Sequence, residues 1–184
     1  MEQELFDTMT RLEMDATNLE ALRYESAKFM AMLAISKQAK HIVEIGSGAG
    51  YSTLWLAYAA SITGGKVITC EIDPAKAEVM QANLTGAKMS DYVEILIGDA
   101  RELLRHRDEP VDLVFIDADT GQYETYFDVI YKRMGSGGMI VADDVITREN
   151  ELSDYVTYVQ NHPNLESVTI PLGDGLEITV KTTE

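Results

Sequence analysis

Val43-Glu44-Ile45-Gly46-Ser47-Gly48-Ala49-Gly50-Tyr51-Ser52 joins an apolar, β-branched run to a segment of helical spacing, and its reading decides the fold. Glycines let the chain turn tightly and let a ligand approach the backbone, while the start of the following helix offers free N–H groups to an anion. The dinucleotide fingerprint is G-x-G-x-x-G, whereas the spacing here is G-x-G-x-G with Tyr51 where the last glycine would fall. A pyrophosphate is therefore a poorer fit than a nucleoside that carries other groups.

Working outward, four more apolar runs resemble His41–Gly46: Lys66–Asp73, Val93–Asp99, Val111–Asp117 and Gly138–Asp144. They alternate with amphipathic segments, the pattern of βα units around a parallel sheet. Each is too continuously apolar for a sheet with one wet face, so helices are expected on both faces. Tyr51, Leu54, Trp55 and Tyr58 follow i, i+3, i+4, i+7 spacing, as do Tyr123, Tyr126, Phe127 and Ile130, and Leu152, Tyr155, Val156 and Val159. Asp73-Pro74 is an N-cap followed by proline at the first helical position. Leu165–Leu172 and Leu176–Thr182 read as strands joined by Gly173-Asp174-Gly175, which suits an antiparallel hairpin. The expectation is an α/β fold with a doubly wound, mostly parallel seven-stranded sheet and a C-terminal antiparallel hairpin. Two further helices are expected over about 2–15 and 19–37. With about 150 residues per domain as a guide, residues 1–184 read as one domain, residues 1–38 forming a lid or a dimer contact to which Met9 and Met14 contribute.

The strand ends carry the chemistry. Ligands bind at the carboxyl ends of strands in open α/β sheets, and each of the five runs ends in or beside an acid or a glycine. Glu44 offers a carboxylate to an ammonium group. Glu71, ending the second run, suits ribose hydroxyls, and Asp99 borders the same nucleoside. An acid for an amine, helix amides for a carboxylate and an acid for a ribose match the three groups of S-adenosylmethionine. They favour it over NAD without excluding NAD.

Composition narrows the partners. Lys plus Arg number 15 against 31 for Asp plus Glu, a formal charge of −16, and no basic stripe appears. Nucleic acids and anionic lipids are poor partners for such a surface. The longest apolar stretch, Thr53 to Thr63, falls short of the about 20 residues that cross a bilayer. Cys70 is the only cysteine and lies in an apolar run, as a small hydrophobe in a reducing, cytoplasmic setting would. His41, His106 and His162 have no metal-ligand spacing.

From about Arg23 to the C-terminus the sequence resembles the class I S-adenosylmethionine-dependent methyltransferases, and specifically the catechol and caffeoyl-CoA type O-methyltransferases, whose fold is Rossmann-like. The resemblance rests on Glu44 to Ser52, Cys70-Glu71-Ile72-Asp73-Pro74, Gly98-Asp99-Ala100, Phe115 to Asp119 with Tyr123, Ala142-Asp143-Asp144 and Gly173-Asp174-Gly175. It implies that Glu44 and Ser52 meet the methionine part of S-adenosylmethionine, that Gly46, Ser47 and Gly48 give close backbone approach, and that Glu71 and Ile72 hold the ribose side. Ala100 and Ala118 would lie near the adenine, with Asp99 and Asp117 bordering it. It also implies a divalent cation, magnesium or else calcium or manganese, on Asp117, Asp143 and Asp144. Physically, acids ending adjacent strands about 4.8 Å apart can converge on one hard cation that prefers oxygen ligands.

Two positions depart from the family pattern. Asp144 stands where the family has Asn, and Thr120 where many members have a lysine that serves as base. Catalysis would then rest on the cation, held by Asp117, with Asp119 as an assisting base, and the acceptor would be a small hydroxylated, catechol-like molecule. Relatives also imply a homodimer. Two alternatives stay open at this point: a metal-independent methyltransferase on another small acceptor, favoured by Thr120, and a catalytically silent nucleoside-binding module or nicotinamide oxidoreductase.

Overall fold

The computed structural model describes residues 3–14 and 22–183. Two helices, α1 (Gln3–Glu13) and α2 (Tyr24–Ser36), precede β1 (His41–Ile45). Then follow α3 (Tyr51–Thr63), β2 (Lys66–Glu71), α4 (Pro74–Gly86), β3 (Val93–Ile97), α5 (Ala100–Arg105) and β4 (Val111–Ile116). The chain closes with α6 (Tyr123–Tyr131), β5 (Met134–Ala142), α7 (Glu149–Gln160), β6 (Leu165–Ile170) and β7 (Leu176–Lys181). The strands form one sheet in the order β3-β2-β1-β4-β5-β7-β6. The first five run parallel, and β7 lies antiparallel between β5 and β6. The order reverses between β1 and β4, and a crevice opens at such a switch point.

Alternation along the strands divides the core into two layers. Ile42, Val67, Leu113, Phe115 and Val141 face α1, α2, α3 and α4, while Val43, Ile45, Val114, Ile116, Ile140 and Ala142 face α5, α6 and α7. Both faces are covered, as the continuous apolar runs require. Cys70 is buried in β2, and burial pushes its thiol up to about 12, so it acts as a hydrophobe. Tyr123, Phe127 and Ile130 are buried core residues of α6. Among the described residues, no helix is long and apolar enough to cross a membrane.

Several boundaries differ from expectation. The strands stop one or two residues short of the acids that end the runs, leaving Gly46, Ile72, Asp73, Gly98, Asp99, Asp117, Asp143 and Asp144 on the rim. β5 begins at Met134 rather than Gly138, because Met134 pairs with Val111 before a register shift. The hairpin loop spans 171–175, since the ladder ends at Ile170 with Leu176 and Pro171 has no N–H to extend it. α2 begins at Tyr24, Arg23 being its extended N-cap; residues 19–21 of the expected helix lie outside the described residues.

Phe115 is the next-to-last residue of the central strand β4 and is fully buried. Phe115→Ala is expected to cost about 3–5 kcal/mol and to lower Tm by about 10 °C, read by thermal circular dichroism. Val168→Ala, at a 53% exposed position, is expected to move Tm by about 2 °C or less.

Candidate active site

The glycine loop is shaped by two close approaches. Gly46 takes a φ of +85°, and a Cβ there would sit 1.9 Å from the Asp117 carbonyl oxygen. Gly50 takes a φ of +92°, and its Cβ would sit 2.8 Å from Met80 Cγ on α4. The Gly46 N–H donates to the Cys70 carbonyl at 3.0 Å and the Asp117 N–H to the Ile45 carbonyl at 3.0 Å, so the ends of β1, β2 and β4 are stitched together. Above them opens a cleft of about 650 Å³ bordered by Gly46, Ser47, Gly48, Ser52, Glu71, Ile72, Asp99, Ala100, Asp117, Ala118, Asp119, Asp143 and Asp144. Every sequence-derived site residue except Glu44 lines it. The N-terminus of α3 has no side-chain cap and no acid in its first turn, so its amides stay available to an anion.

Glu44 is inside the protein instead. In β1 it alternates with Val43 and Ile45 and so shares the side of Ile42, facing α3. Its side chain has no exposure, and its Oε2 accepts hydrogen bonds from the hydroxyls of Thr53 and Thr69, each at 2.6 Å. Its Oε1 is buried without a hydrogen-bond partner. Burial pushes its pKa up, and the hydroxyls of Ser52, Thr53 and Thr69 offset part of that. Ser52 lies between this buried acid and the cleft.

Glu71 has a role that its sequence position did not suggest. Its Oε2 accepts from the Gly48 N–H at 2.8 Å and the Ser47 N–H at 3.3 Å, and its Oε1 from the Asp73 N–H at 2.9 Å. It therefore ties the glycine loop to the end of β2. Asp99 caps α5 through the Arg101 N–H and pairs with the Arg101 guanidinium, which holds its carboxyl below the usual range. Ile72 is 72% exposed, an apolar surface on the cleft wall.

On the other side of the cleft, β4 and β5 run parallel with Ile116 beside Ala142, so Asp117 and Asp143 follow on adjacent strands. The Asp143 side chain is almost wholly buried, and its Oδ1 has no hydrogen-bond partner. Burial, with the charges of Asp144 and Asp174, pushes its pKa to about 7. Asp144 sits in the left-handed region at φ +68° and is likewise pushed up, by burial and then by Asp174. A buried carboxylate oxygen without a donor is costly unless a proton or cation neutralises it, and an all-oxygen set suits a hard cation. Among the described residues, however, no three His, Cys, Asp or Glu side chains gather as a ready-made metal cage. Asp119 caps a short 3₁₀ turn through the Gly121 N–H, and the Thr120 hydroxyl donates to Glu151.

Three contributors were given no role in the site by the sequence reading. The Tyr123 hydroxyl reaches the carbonyls of Ile116 and Asp143, at 3.5 and 3.4 Å, clamping the two acid-bearing strand ends. Asp174 lines the cleft, and its carbonyl accepts from the Ile146 and Thr147 N–H groups. Gly175 admits Ile146, whose Cγ1 would lie 2.5 Å from a Cβ. The one signal for the last two was Gly173-Asp174-Gly175, read as a turn and as part of the family resemblance. A smaller hollow of about 390 Å³ lies at the amino ends of β1 to β3. Its Arg107 pairs with Glu94 and Glu109, and it lacks the loop and the acids of the cleft.

Residues 2–182 match the O-methyltransferase family. The chain belongs to that family. It is 41% identical over 131 residues to a catechol O-methyltransferase of Niastella koreensis, covering 69% of this chain and 58% of that protein. It is 35% identical over 162 residues to a catechol O-methyltransferase of Mycobacterium tuberculosis, covering 82% of this chain and 73% of that one. A cofactor-bound crystal structure from MTB superposes with a TM-score of 0.85 at 29% identity, over 98% of this chain and 88% of that one. A Bacillus cereus O-methyltransferase shares the fold with a TM-score of 0.84 at 24% identity, over 99% and 92% of the two chains.

The buried Glu44 makes stability depend on pH. Its raised native pKa means that the folded state holds the proton more tightly than the unfolded chain, so ionisation above about pH 4.3 destabilises the fold. Glu44→Gln keeps an acceptor for Thr53 and Thr69 without the charge. At pH 7 it is expected to melt about 3 °C or more above the wild type, roughly 1 kcal/mol in a chain of this length, and the gain is expected to vanish as pH falls toward about 4. Equal melting at pH 7 would contradict this.

Proposed function

We propose that the chain transfers a methyl group from S-adenosylmethionine to a hydroxyl of a small, catechol-like acceptor, with a divalent cation, magnesium or else calcium or manganese, at Asp117, Asp143 and Asp144. The observation that carries the proposal is one cleft with two unlike walls. A glycine loop with uncapped helix amides forms one side, and a buried, unpartnered Asp143 oxygen beside Asp144 forms the other. The names of the N. koreensis and M. tuberculosis relatives support the acceptor class.

In this reading the α3 amides at Tyr51 and Ser52 receive the carboxylate of the methyl donor, and Glu44 supplies negative charge beneath them for its ammonium. Glu71, already fixed by Ser47, Gly48 and Asp73, presents its remaining lone pairs to ribose hydroxyls. Ile72 and Ala100 flank the base. When bound, the cation lowers the pKa of an acceptor hydroxyl and orients it. Tyr123 keeps Asp117 and Asp143 in register on their two strands. Asp119, on the same rim, is the carboxylate assigned to take the acceptor proton, because the Thr120 hydroxyl is committed to Glu151. Alignment of oxygen and methyl in one cleft supplies much of the rate. Thr120, where many relatives carry a lysine, favours a second reading, methyl transfer without a metal.

A panel of vicinal diols assayed with labelled methyl donor separates the two. The first reading expects turnover that falls about a hundredfold or more with EDTA and with Asp143→Asn, the equivalent of about 2.7 kcal/mol in the barrier. Turnover indifferent to both leaves the metal-free reading. S-adenosylhomocysteine at 100 times its Kd is expected to stabilise the fold by about 2.7 kcal/mol, and NAD is expected not to.

A further inference from the structure

The glycine loop is held from below as well as from the cleft. Asn83, on α4 and 6% exposed, donates from Nδ2 to the Ala49 carbonyl at 2.8 Å. The next N–H along that peptide, of Gly50, donates to the Ser47 carbonyl at 2.8 Å. The peptide between Ala49 and Gly50 is thus pinned on both edges, and it leads directly into Gly50, the N-cap of α3. Asn83 is in turn oriented by α1, where Arg11 donates from Nη2 to Asn83 Oδ1 at 2.6 Å. An arginine can only donate, so it takes the amide oxygen and leaves the amide nitrogen to Ala49. No residue of α1, and from α4 only Lys76, borders the cleft.

We infer that Arg11 and Asn83 are positioning residues for the cofactor: helix α1, remote from the cleft, selects through Asn83 the orientation of the Ala49–Gly50 peptide and so pre-organises the loop and the first turn of α3. The inference rests on the reading that this loop holds S-adenosylmethionine. A part-buried carbonyl deprived of its donor no longer fixes its peptide, and a loop free to turn that peptide loses affinity in proportion.

Aspartate at position 83 isolates the effect. Asn83→Asp still accepts from Arg11, as an ion pair, but turns a carboxylate oxygen toward the Ala49 carbonyl, so it keeps the α1–α4 contact and replaces the loop contact with repulsion. Calorimetric titration with S-adenosylhomocysteine is expected to show Kd rising about tenfold in Asn83→Asp and Asn83→Ala, the equivalent of about 1.4 kcal/mol. Tm is expected to fall further in Asn83→Ala, which loses both contacts, than in Asn83→Asp, which keeps the one to Arg11. Arg11→Ala is expected to raise Kd about threefold, a smaller loss because Asn83 itself remains, and Arg11→Lys to restore it. In turnover, KM for the methyl donor is expected to rise by more than kcat falls. Wild-type affinity in Asn83→Asp, with the wild type binding normally, overturns the inference alone. A wild-type protein that takes up no S-adenosylhomocysteine overturns the cofactor reading and this inference together.

Discussion

Everything at the rim depends on the contact between Gly46 and the backbone of Asp117. A side chain at position 46 would drive its Cβ to 1.9 Å from the Asp117 carbonyl oxygen, so only glycine lets the loop after β1 lie against the end of β4. That approach occurs where the strand order reverses, at the crevice between β1 and β4. It brings the glycine loop and the acids of β4 and β5 into one cleft. The hydrogen bonds from Gly46 to Cys70 and from Asp117 to Ile45 then fix the relative height of three strand ends. Two half-sites with different chemistry become one site through a single absent methyl group.

The charge balance of the chain acquires structure in this light. Most of the surplus acids are solvated, but Glu44 and Asp143 are buried, and burial pushes both carboxyls up. Each has an oxygen without a hydrogen-bond partner. Such groups destabilise the fold by themselves. Under the proposed function, their placement, one under the loop and one beside Asp144, suits an ammonium or sulfonium at one end and a cation at the other. Glu177 makes the contrast: it is equally buried, yet Gln160, Ser167 and Thr169 satisfy its carboxylate.

The sheet was readable because each strand is a short, continuously apolar run that ends in a polar residue, and because helical spacing fills the gaps. The parallel order and the two covered faces follow from that pattern. The rim residues were readable for the same reason, since they directly follow the strands. What eluded the pattern is long-range. Alternation shows that Glu44 shares a face with Ile42, but not that this face is sealed by α3. Nothing near Glu71 announces that it bonds Ser47 and Gly48, 24 and 23 residues away. Tyr123 carried a helical-core signature, and its buried ring fits that, while its hydroxyl's grip on two strand ends has no local signature. Hairpin strands Leu165–Ile170 and Leu176–Lys181 were visible from their period, whereas the service of Asp174 to the acid loop was hidden in an ordinary turn.

The proposed function sets an acceptor between the two unlike walls of the cleft, cofactor on one side and cation on the other. The central claim, that the acids of β4 and β5 recruit a hydroxylated acceptor through a divalent ion, is tested most directly by calorimetric titration of catechol into protein saturated with S-adenosylhomocysteine, with and without Mg²⁺. Catechol affinity that rises at least about tenfold with Mg²⁺, the equivalent of about 1.4 kcal/mol, is the expected result. Catechol binding of equal strength in both conditions, or none in either, would contradict it.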